Sequence, residues 1–179
     1  MIYRHRLTLL LVSLFAAGTV EAQVVVGRDR FSDVMQILLP ATAAGISLYR
    51  QDTDGLKQFG YAAALAAGTS VVLKNTVHSV RPDGSGKGFP SGHAAMTFAS
   101  ASYVHFRYGV ETALPLYALA GLTASRRVST HNHFTKDVLA GAAIGSGSAW
   151  LFTNQLGVNS AAMIVPARGG AWINFTSQW

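Results

Sequence analysis

The sequence contains no cysteine, and only 12% of its 179 residues are charged. Without cysteine the chain can form neither a disulfide framework nor a thiolate metal site. Half of the residues are hydrophobic and the mean hydropathy is +0.28, which is apolar for a soluble domain and brings a membrane location into consideration. The formal net charge is +6, but the cations form neither a run nor a stripe, so we do not expect a nucleic-acid partner.

Residues 1–22 have the pattern of an export signal. Arg4 and Arg6 precede an apolar run from Leu7 to Gly18, and Val20–Ala22 fits a small-residue cleavage site. The run is shorter than the ~20 residues that comfortably span a bilayer, which favours a cleaved signal peptide over a retained first membrane helix. Both alternatives predict a protein that is exported to the periplasm or inserted in the inner membrane.

The sequence of residues 23–154 predicts a single all-α domain. Apolar segments alternate with short polar turns, a pattern typical of a compact bundle of about five to six helices. The five helices predicted within this range span about 33–49, 56–74, 92–108, 112–124 and 133–153. Gly141, Gly145 and Gly147 in the last of them favour close helix packing. The helix lengths lie between those of buried soluble helices and short membrane spans, so the bundle is either soluble or membrane-embedded.

Residues 155–179 form a C-terminal tail of a different kind. Ala162–Val165 and Ala171–Phe175 are apolar runs that flank Arg168–Gly170, which predicts a small β-hairpin. Pro166 argues against regular pairing at its own position, because proline cannot donate a hydrogen bond to the ladder.

Three polar clusters interrupt the apolar sequence, each where a predicted helix begins or ends. They comprise residues 74–82, 89–93 and 126–137. Together they supply cations, imidazoles, a carboxylate and a helix N-terminus preceded by glycine. These are the groups needed to hold a phosphate and to attack it without a metal ion.

His133 and Asp137 lie four residues apart at the predicted start of the last helix, and therefore on one helical face. A carboxylate in that position can hold the imidazole in one tautomer and leave the other ring nitrogen to attack. Taken alone, the two residues also fit an exposed His–Asp pair of no catalytic use. Zinc would be indicated by two histidines at this spacing, and although His131 is a further ligand candidate, no second carboxylate lies nearby. We therefore expect no metal and no cofactor.

Ser91 and Gly92 are expected to begin a helix whose unpaired N–H groups attract an anion. His93 would project into the same space, where it can protonate a leaving alkoxide. An ordinary helix cap would use the same residue types, so this cluster is informative only together with the other two.

Lys74, Arg81 and Arg127 complete the set of cations. Guanidinium groups grip phosphate oxygens through two hydrogen bonds, whereas a lysine acts as a point charge. Each of these residues alone fits a surface cation beside a helix end. Together they frame two histidines and an aspartate within a short stretch of sequence, which indicates one anion site.

The order and spacing of these residues resembles the three-part signature Lys-x6-Arg-Pro, Pro-Ser-Gly-His and Arg-x5-His-x3-Asp. It is the signature of the type 2 phosphatidic acid phosphatase (PAP2) superfamily, which also includes bacterial class A acid phosphatases and vanadium-dependent haloperoxidases. The matching residues span about a third of the chain. They are Lys74, Arg81 and Pro82, then Pro90, Ser91, Gly92 and His93, then Arg127, His133 and Asp137.

Two positions depart from the family pattern. The family usually has Ser-Arg before the five-residue spacing, whereas Arg126-Arg127 stands here. Spacing assigns the phosphate contact to Arg127, and Arg126 is the rival. The glycine that usually precedes the third-cluster histidine is also missing, because His131-Asn132 fills that region.

The resemblance implies a role for each matched residue. It makes His133 the nucleophile that forms a phosphohistidine, Asp137 the residue that orients it, and His93 the general acid for the leaving group. The residues implied to hold the phosphate are Lys74, Arg81, Arg127, Ser91 and the backbone of Gly92.

We therefore expect a metal-independent phosphatase that hydrolyses a phosphate monoester or pyrophosphate. The apolar bundle favours a lipid substrate and a location in or at a membrane. If the N-terminal run is retained as a span, one group of cations falls on the side that the positive-inside rule makes cytoplasmic, and the three clusters face the periplasm. That group is Arg4, Arg6, Arg50, Lys57, Arg107 and Arg168. Arg126, Arg127 and Lys136 break the pattern on the outer face. The alternatives are a soluble periplasmic acid phosphatase acting on small phosphomonoesters, a vanadate-dependent haloperoxidase, and a membrane scaffold without activity.

Overall fold

The computed structural model describes residues 29–156, 159–167 and 170–178. Within them the chain forms five helices followed by two strands: α1 Arg30–Tyr49, α2 Thr53–Thr76, α3 Gly92–Tyr108, α4 Val110–Ser129, α5 Thr135–Phe152, β1 Asn159–Ala167 and β2 Gly170–Gln178. The predicted all-α bundle and the C-terminal hairpin are both confirmed. The predicted export signal, residues 1–22, lies outside the described residues.

Helix α3 occupies the centre of the bundle and packs against each of the other four helices. Its buried side chains are mostly small, and Ala94, Ala99 and Ala101 are completely buried. Small side chains let neighbouring helix backbones approach closely. Larger side chains, among them Leu39 and Tyr103, fill the core farther along the bundle.

Two glycines bring α5 against α3 backbone to backbone. A Cβ atom built on Gly141 would lie 2.3 Å from the carbonyl oxygen of Ser91, and one on Gly145 would lie 2.1 Å from that of Ala95. No side chain larger than hydrogen fits at either position. A Cβ atom on Gly147 would have no atom of the described residues within 4 Å outside its own surroundings on the helix, so the prediction that this glycine also favours close contact is wrong.

Several helix boundaries differ from the predicted ones. Helices α1 and α2 each begin three residues before the predicted start, because Asp29 and Asp52 cap them. The two side chains accept hydrogen bonds from the backbone N–H groups of Ser32 and Gly55. Helix α4 continues past residue 124 to Ser129, which places both arginines of the third cluster on a helix rather than in a loop. Helix α5 begins only at residue 135.

A buried polar network ties the helices together at the end where α1 and α3 finish and α2 begins. Arg107 donates from Nε and Nη2 to the two carboxylate oxygens of Asp52, at 2.7 Å each, and the Tyr108 hydroxyl donates to the same carboxylate at 2.8 Å. These bonds lower the pKa of Asp52 to about 2. Arg107 also donates to the carbonyl oxygen of Asn154, which fixes the end of α5.

Many large apolar side chains point out of the bundle. Ile37, Leu139 and Trp150 are each more than 60% exposed. By length and composition one described helix, α1, could cross a membrane, with 20 residues and a mean hydropathy of 1.3. A core helix of a soluble protein would pass the same criterion. An outer surface rich in exposed apolar side chains is also typical of contact with lipid or another protein.

In the tail, β1 and β2 pair antiparallel with Val165 opposite Trp172 and Pro166 opposite Ala171. A two-stranded sheet has an open edge on each strand, and proline is tolerated on an edge. The proline that argued against regular pairing is therefore accommodated.

Candidate active site

All residues predicted for the site come together at one end of the bundle. Helices α2 and α4 end there, and α3 and α5 begin there. The link between the second and third clusters is a backbone hydrogen bond, in which the Ser91 N–H donates to the Asp137 carbonyl oxygen at 2.9 Å. The first cluster joins them through Lys74, whose Cε would lie 3.8 Å from a Cβ on Gly92.

Ser91 is completely buried and caps α3, as expected. Its Oγ accepts the backbone N–H of Ala94 at 3.4 Å. The hydroxyl proton is still available for donation to an anion, because a serine side chain can donate and accept at once. Gly92 opens the first turn of α3, and a Cβ atom built on it would have one neighbour within 4 Å among the described residues, the Lys74 side chain. The helix N-terminus therefore faces a lysine rather than packed backbone.

His133 lies in the turn between α4 and α5, before the helix on which it was expected. Its backbone N–H donates to the carbonyl oxygen of Arg127 at 2.9 Å, and that of Asn132 donates to the same oxygen at 3.1 Å. These two bonds fasten the turn to the end of α4. The prediction that His133 and Asp137 share a helical face is wrong, yet the turn still brings their side chains together.

The His133 side chain is only 2% exposed, and that of Asp137 is fully buried. The Nδ1 atom of His133 lies 3.7 Å from Oδ2 of Asp137, which is longer than a hydrogen bond. Oδ2 accepts the backbone N–H of Phe134 at 2.9 Å, whereas Oδ1 and the histidine Nδ1 have no hydrogen-bond partner within the described part of the chain. A small movement of the imidazole would join the two groups, and catalytic hydrogen bonds are often long in unliganded enzymes.

Burial lowers the pKa of His133 to about 3, and the neighbouring charges of Arg127, Lys74 and Arg81 act in the same direction. The imidazole is therefore neutral near pH 7 and keeps a lone pair on one nitrogen. A neutral, buried imidazole beside a carboxylate is suited to nucleophilic attack.

The site concentrates cations that have no carboxylate partner in the part of the chain that the structure describes. Arg127 is 5% exposed, and its Nε, like that of Arg81, is buried without a hydrogen-bond partner among the described residues. Burial lowers the pKa of Lys74, and the charge of Arg81 adds to this effect. Buried charges in proteins are normally paired. This arrangement fits a bound anion that accepts hydrogen bonds from both guanidinium groups.

Arg126, the rival of Arg127, points elsewhere. Its Nε donates to Oδ1 of Asp29 at 3.1 Å, and its guanidinium lies 5.5 Å from the centre of the Phe31 ring. Adjacent residues on a helix point about 100° apart, so only one of the two arginines can face the cluster. The structure brings Arg127 into the site and engages Arg126 with the N-terminal end of α1.

His93 has a partner that sequence reasoning missed. Its Nε2 lies 2.9 Å from Oδ1 of Asp33 in the first turn of α1. Burial and the charge of Arg127 lower the pKa of His93, while Asp33 opposes this effect. The two residues are 60 positions apart, and an aspartate in the first helical turn is common for reasons of the helix dipole alone. No local signal identified the pair.

His131 occupies the region where the family's glycine is missing. Its φ angle is +58°, in the left-handed region that favours glycine. The backbone therefore keeps a turn suited to glycine even though the side chain does not favour it. Within the described ranges no group of three or more His, Cys, Asp or Glu side chains is arranged to hold a metal ion.

Comparisons with known proteins identify the family. A family model described as the PAP2 superfamily matches residues 83–160. A lipid A 4'-phosphatase of Helicobacter pylori is 33% identical over 139 residues, which cover 71% of this chain and 70% of the relative. A lipid A 1-phosphatase of Porphyromonas gingivalis is 38% identical over 88 residues, which cover 46% of this chain and 19% of that much longer relative.

One solved structure is also similar. The crystal structure of Aquifex aeolicus LpxE superposes with a TM-score of 0.53 at 22% sequence identity, covering 69% of this chain and 86% of the other. At this level of identity the similarity supports the fold alone.

Proposed function

We propose that this chain removes a phosphate from lipid A or a closely similar phosphorylated lipid. The basis is that the chain belongs to the PAP2 superfamily and is a lipid phosphatase of the PAP2 type, a phosphoric monoester hydrolase. The two relatives named as lipid A phosphatases favour this substrate over small soluble esters, and they do not favour haloperoxidase activity. The observation that carries the proposal is a buried, neutral His133 surrounded by cations that have no carboxylate partner among the described residues.

We propose that His133 attacks the phosphorus atom through Nε2, because Nδ1 lies on the side of Asp137. The new P–N bond forms as the bond between phosphorus and the lipid oxygen breaks. His93 donates a proton to the departing alkoxide. In the second half of the reaction, water gives a proton to His93 and its oxygen displaces His133 from phosphorus, which releases inorganic phosphate and restores both imidazoles.

Asp137 acts by holding Nδ1–H of His133, so that the imidazole keeps its orientation and its developing positive charge is stabilised. Lys74, Arg81 and Arg127 stabilise the negative charge on the equatorial oxygens of the transferred phosphoryl group. Such preorganised charges typically contribute about 10²–10³ each in rate. The Ser91 hydroxyl and the N-terminal amides of α3 supply further donors.

The enzyme works, in this proposal, at a membrane with its site on the periplasmic face. Support comes from α1, which is long and apolar enough to cross a bilayer, and from the exposed apolar side chains of the bundle. Arg50 and Lys57 lie at the opposite end from the site, the distribution that the positive-inside rule associates with the cytoplasm. Residues 1–22 would serve as the export signal or first membrane helix, 23–154 as the phosphatase domain and 155–179 as an appended tail.

The experiment that tests this proposal measures phosphate release by the full-length chain in detergent micelles containing excess EDTA. The substrates are lipid A and 4-nitrophenyl phosphate, and the variants are His133→Ala and, as a control, His105→Ala. His105 lies 12 residues beyond His93, or about 18 Å along α3, where it contacts Tyr117.

We expect EDTA-resistant release that favours the lipid and is lost in His133→Ala but kept in His105→Ala. Release that requires a divalent metal, or that survives in His133→Ala, would contradict the proposal. Equal or faster turnover of the soluble ester would be consistent with the proposed reaction at His133 but would contradict the proposal that the substrate is a lipid.

A further inference from the structure

The first turn of α1 supplies a carboxylate to the site from outside the three sequence clusters. Oδ1 of Asp33 lies 2.9 Å from Nε2 of His93, and the imidazole is 20% exposed whereas the carboxylate is 51% exposed. No other side chain among the described residues forms a hydrogen bond or ion pair with the Asp33 carboxylate. The pair therefore stands at the solvent-facing side of the site, where a leaving alcohol would depart.

The neighbouring carboxylate, Asp29, is already engaged. It is buried, accepts hydrogen bonds from the amide and hydroxyl of Ser32, and pairs with Arg126. Arg127, which approaches His93 from α4, repels a proton on the imidazole. Asp33 is thus the one carboxylate in direct contact with His93 among the described residues. It opposes the effects of burial and of the Arg127 charge, which together still keep the pKa of His93 below its ordinary value.

We propose that Asp33 is a positioning residue for His93, which favours the protonated form of the imidazole and holds it in one orientation, so that a proton is available for the lipid alkoxide. This inference rests on the proposed function. With Nε2–H held by Asp33, the proton that remains for transfer is the one on Nδ1. When the bond between phosphorus and the lipid oxygen breaks, that proton moves to the oxygen and leaves a neutral imidazole hydrogen-bonded to Asp33.

The chemistry of the leaving group provides a specific test. A sugar or aliphatic alkoxide is a poor leaving group and needs protonation, whereas 4-nitrophenolate is stable as an anion and needs little help. General acid catalysis typically contributes about 10²–10⁴ in rate. Loss of a residue that only positions the acid should remove part of that contribution, and only for substrates with a poor leaving group.

The variants are Asp33→Asn, which removes the charge at nearly constant shape, and Asp33→Glu, which restores it. Asp54→Asn is the matched control, because Asp54 is also an exposed acid in the first turn of a helix but pairs with Lys57 at the other end of the bundle. The full-length chain is assayed in micelles with lipid A across pH 5–9, and with 4-nitrophenyl phosphate.

For Asp33→Asn we expect kcat on the lipid to fall about 10- to 100-fold, with recovery in Asp33→Glu and no change in Asp54→Asn. The alkaline limb of the kcat–pH profile should move to lower pH, because the acid form of His93 is required and its pKa falls without the neighbouring carboxylate. Turnover of 4-nitrophenyl phosphate should change less than about threefold.

An unchanged lipid kcat and an unmoved alkaline limb in Asp33→Asn would overturn the inference. So would equal losses on the two substrates, since a merely structural role affects both alike. These outcomes are distinct from failure of the proposed function itself, which would appear as activity in His133→Ala whatever Asp33→Asn does.

Discussion

Substitution of Gly141 by alanine should move the start of α5, which carries Asp137, away from the start of α3, which carries His93. An added Cβ would lie 2.3 Å from the Ser91 carbonyl oxygen and 3.1 Å from the Cβ of Ala94. Since non-bonded carbon contacts are relaxed only at about 3.5 Å, α5 and α3 must move apart by about 1 Å at this level. That movement also breaks the 2.9 Å bond between the Ser91 N–H and the Asp137 carbonyl.

The expected effects have two parts. Overpacking of this kind costs about 1–3 kcal/mol of unfolding free energy, and the better helix propensity of alanine offsets at most about 1 kcal/mol of it. A displacement of about 1 Å between His93 at the start of α3 and His133 before α5 should lower kcat about 100-fold. The loss in activity should therefore exceed what the fraction of unfolded enzyme explains.

Gly147→Ala is the matched control, because it makes the same change on the same helix at a position where no atom from another described element lies within 4 Å of the new methyl group. It should raise the unfolding free energy by about 0.5–1 kcal/mol and leave kcat unchanged. The assay compares thermal unfolding in detergent micelles with phosphate release from lipid A. Identical stability and activity for Gly141→Ala and Gly147→Ala would refute the close backbone contact and its role in placing the site.

Three further predictions concern single residues. Arg127→Ala should lower kcat about 10²–10³-fold. Arg126→Ala should keep kcat but lower the unfolding free energy by about 1–3 kcal/mol, because it leaves buried Asp29 without its cation. Equal losses of kcat in the two variants would contradict the assignment of the phosphate contact to Arg127. His131→Gly should raise the unfolding midpoint, gaining about 1 kcal/mol by relief of the left-handed backbone, and a lower midpoint would contradict the strain. Because the folded pKa of His133 is about 3 and its unfolded value is about 6.5, the unfolded chain binds the extra proton between these values. The unfolding free energy should therefore decline by up to about 5 kcal/mol as the pH falls from about 6.5 to about 3. An equally steep decline in His133→Asn would show that protonation of His133 is not its cause.

Much of the fold and the site could be predicted because the information is local. The five helices follow from apolar segments separated by polar turns, and the hairpin follows from two apolar runs around Arg168–Gly170. The spacing of His133 and Asp137 survives an incorrect helix boundary, because a turn followed by a helix start brings the same two side chains together. The extension of α4 to Ser129 was missed although cations such as Arg126 are favourable at a helix C-terminus.

Other features depend on contacts between distant segments. Asp33 approaches His93 only because α1 packs against α3, and nothing near either residue in the sequence indicates it. The contrasting environments of Gly141 and Gly147 likewise depend on which face of α5 meets α3. The caps of α1 and α2 were predictable in principle, since Asp29 and Asp52 each stand three residues before a small residue that donates its amide.

The central claim is that phosphate passes through a covalent bond to His133. The most direct measurement mixes the enzyme rapidly with ³²P-labelled lipid A, stops the reaction with alkali, which phosphohistidine survives, and maps the labelled peptide. We expect transient label on the peptide containing His133 and none in His133→Ala. Release of a full turnover of phosphate with no labelled protein, or label on any other residue, would contradict it.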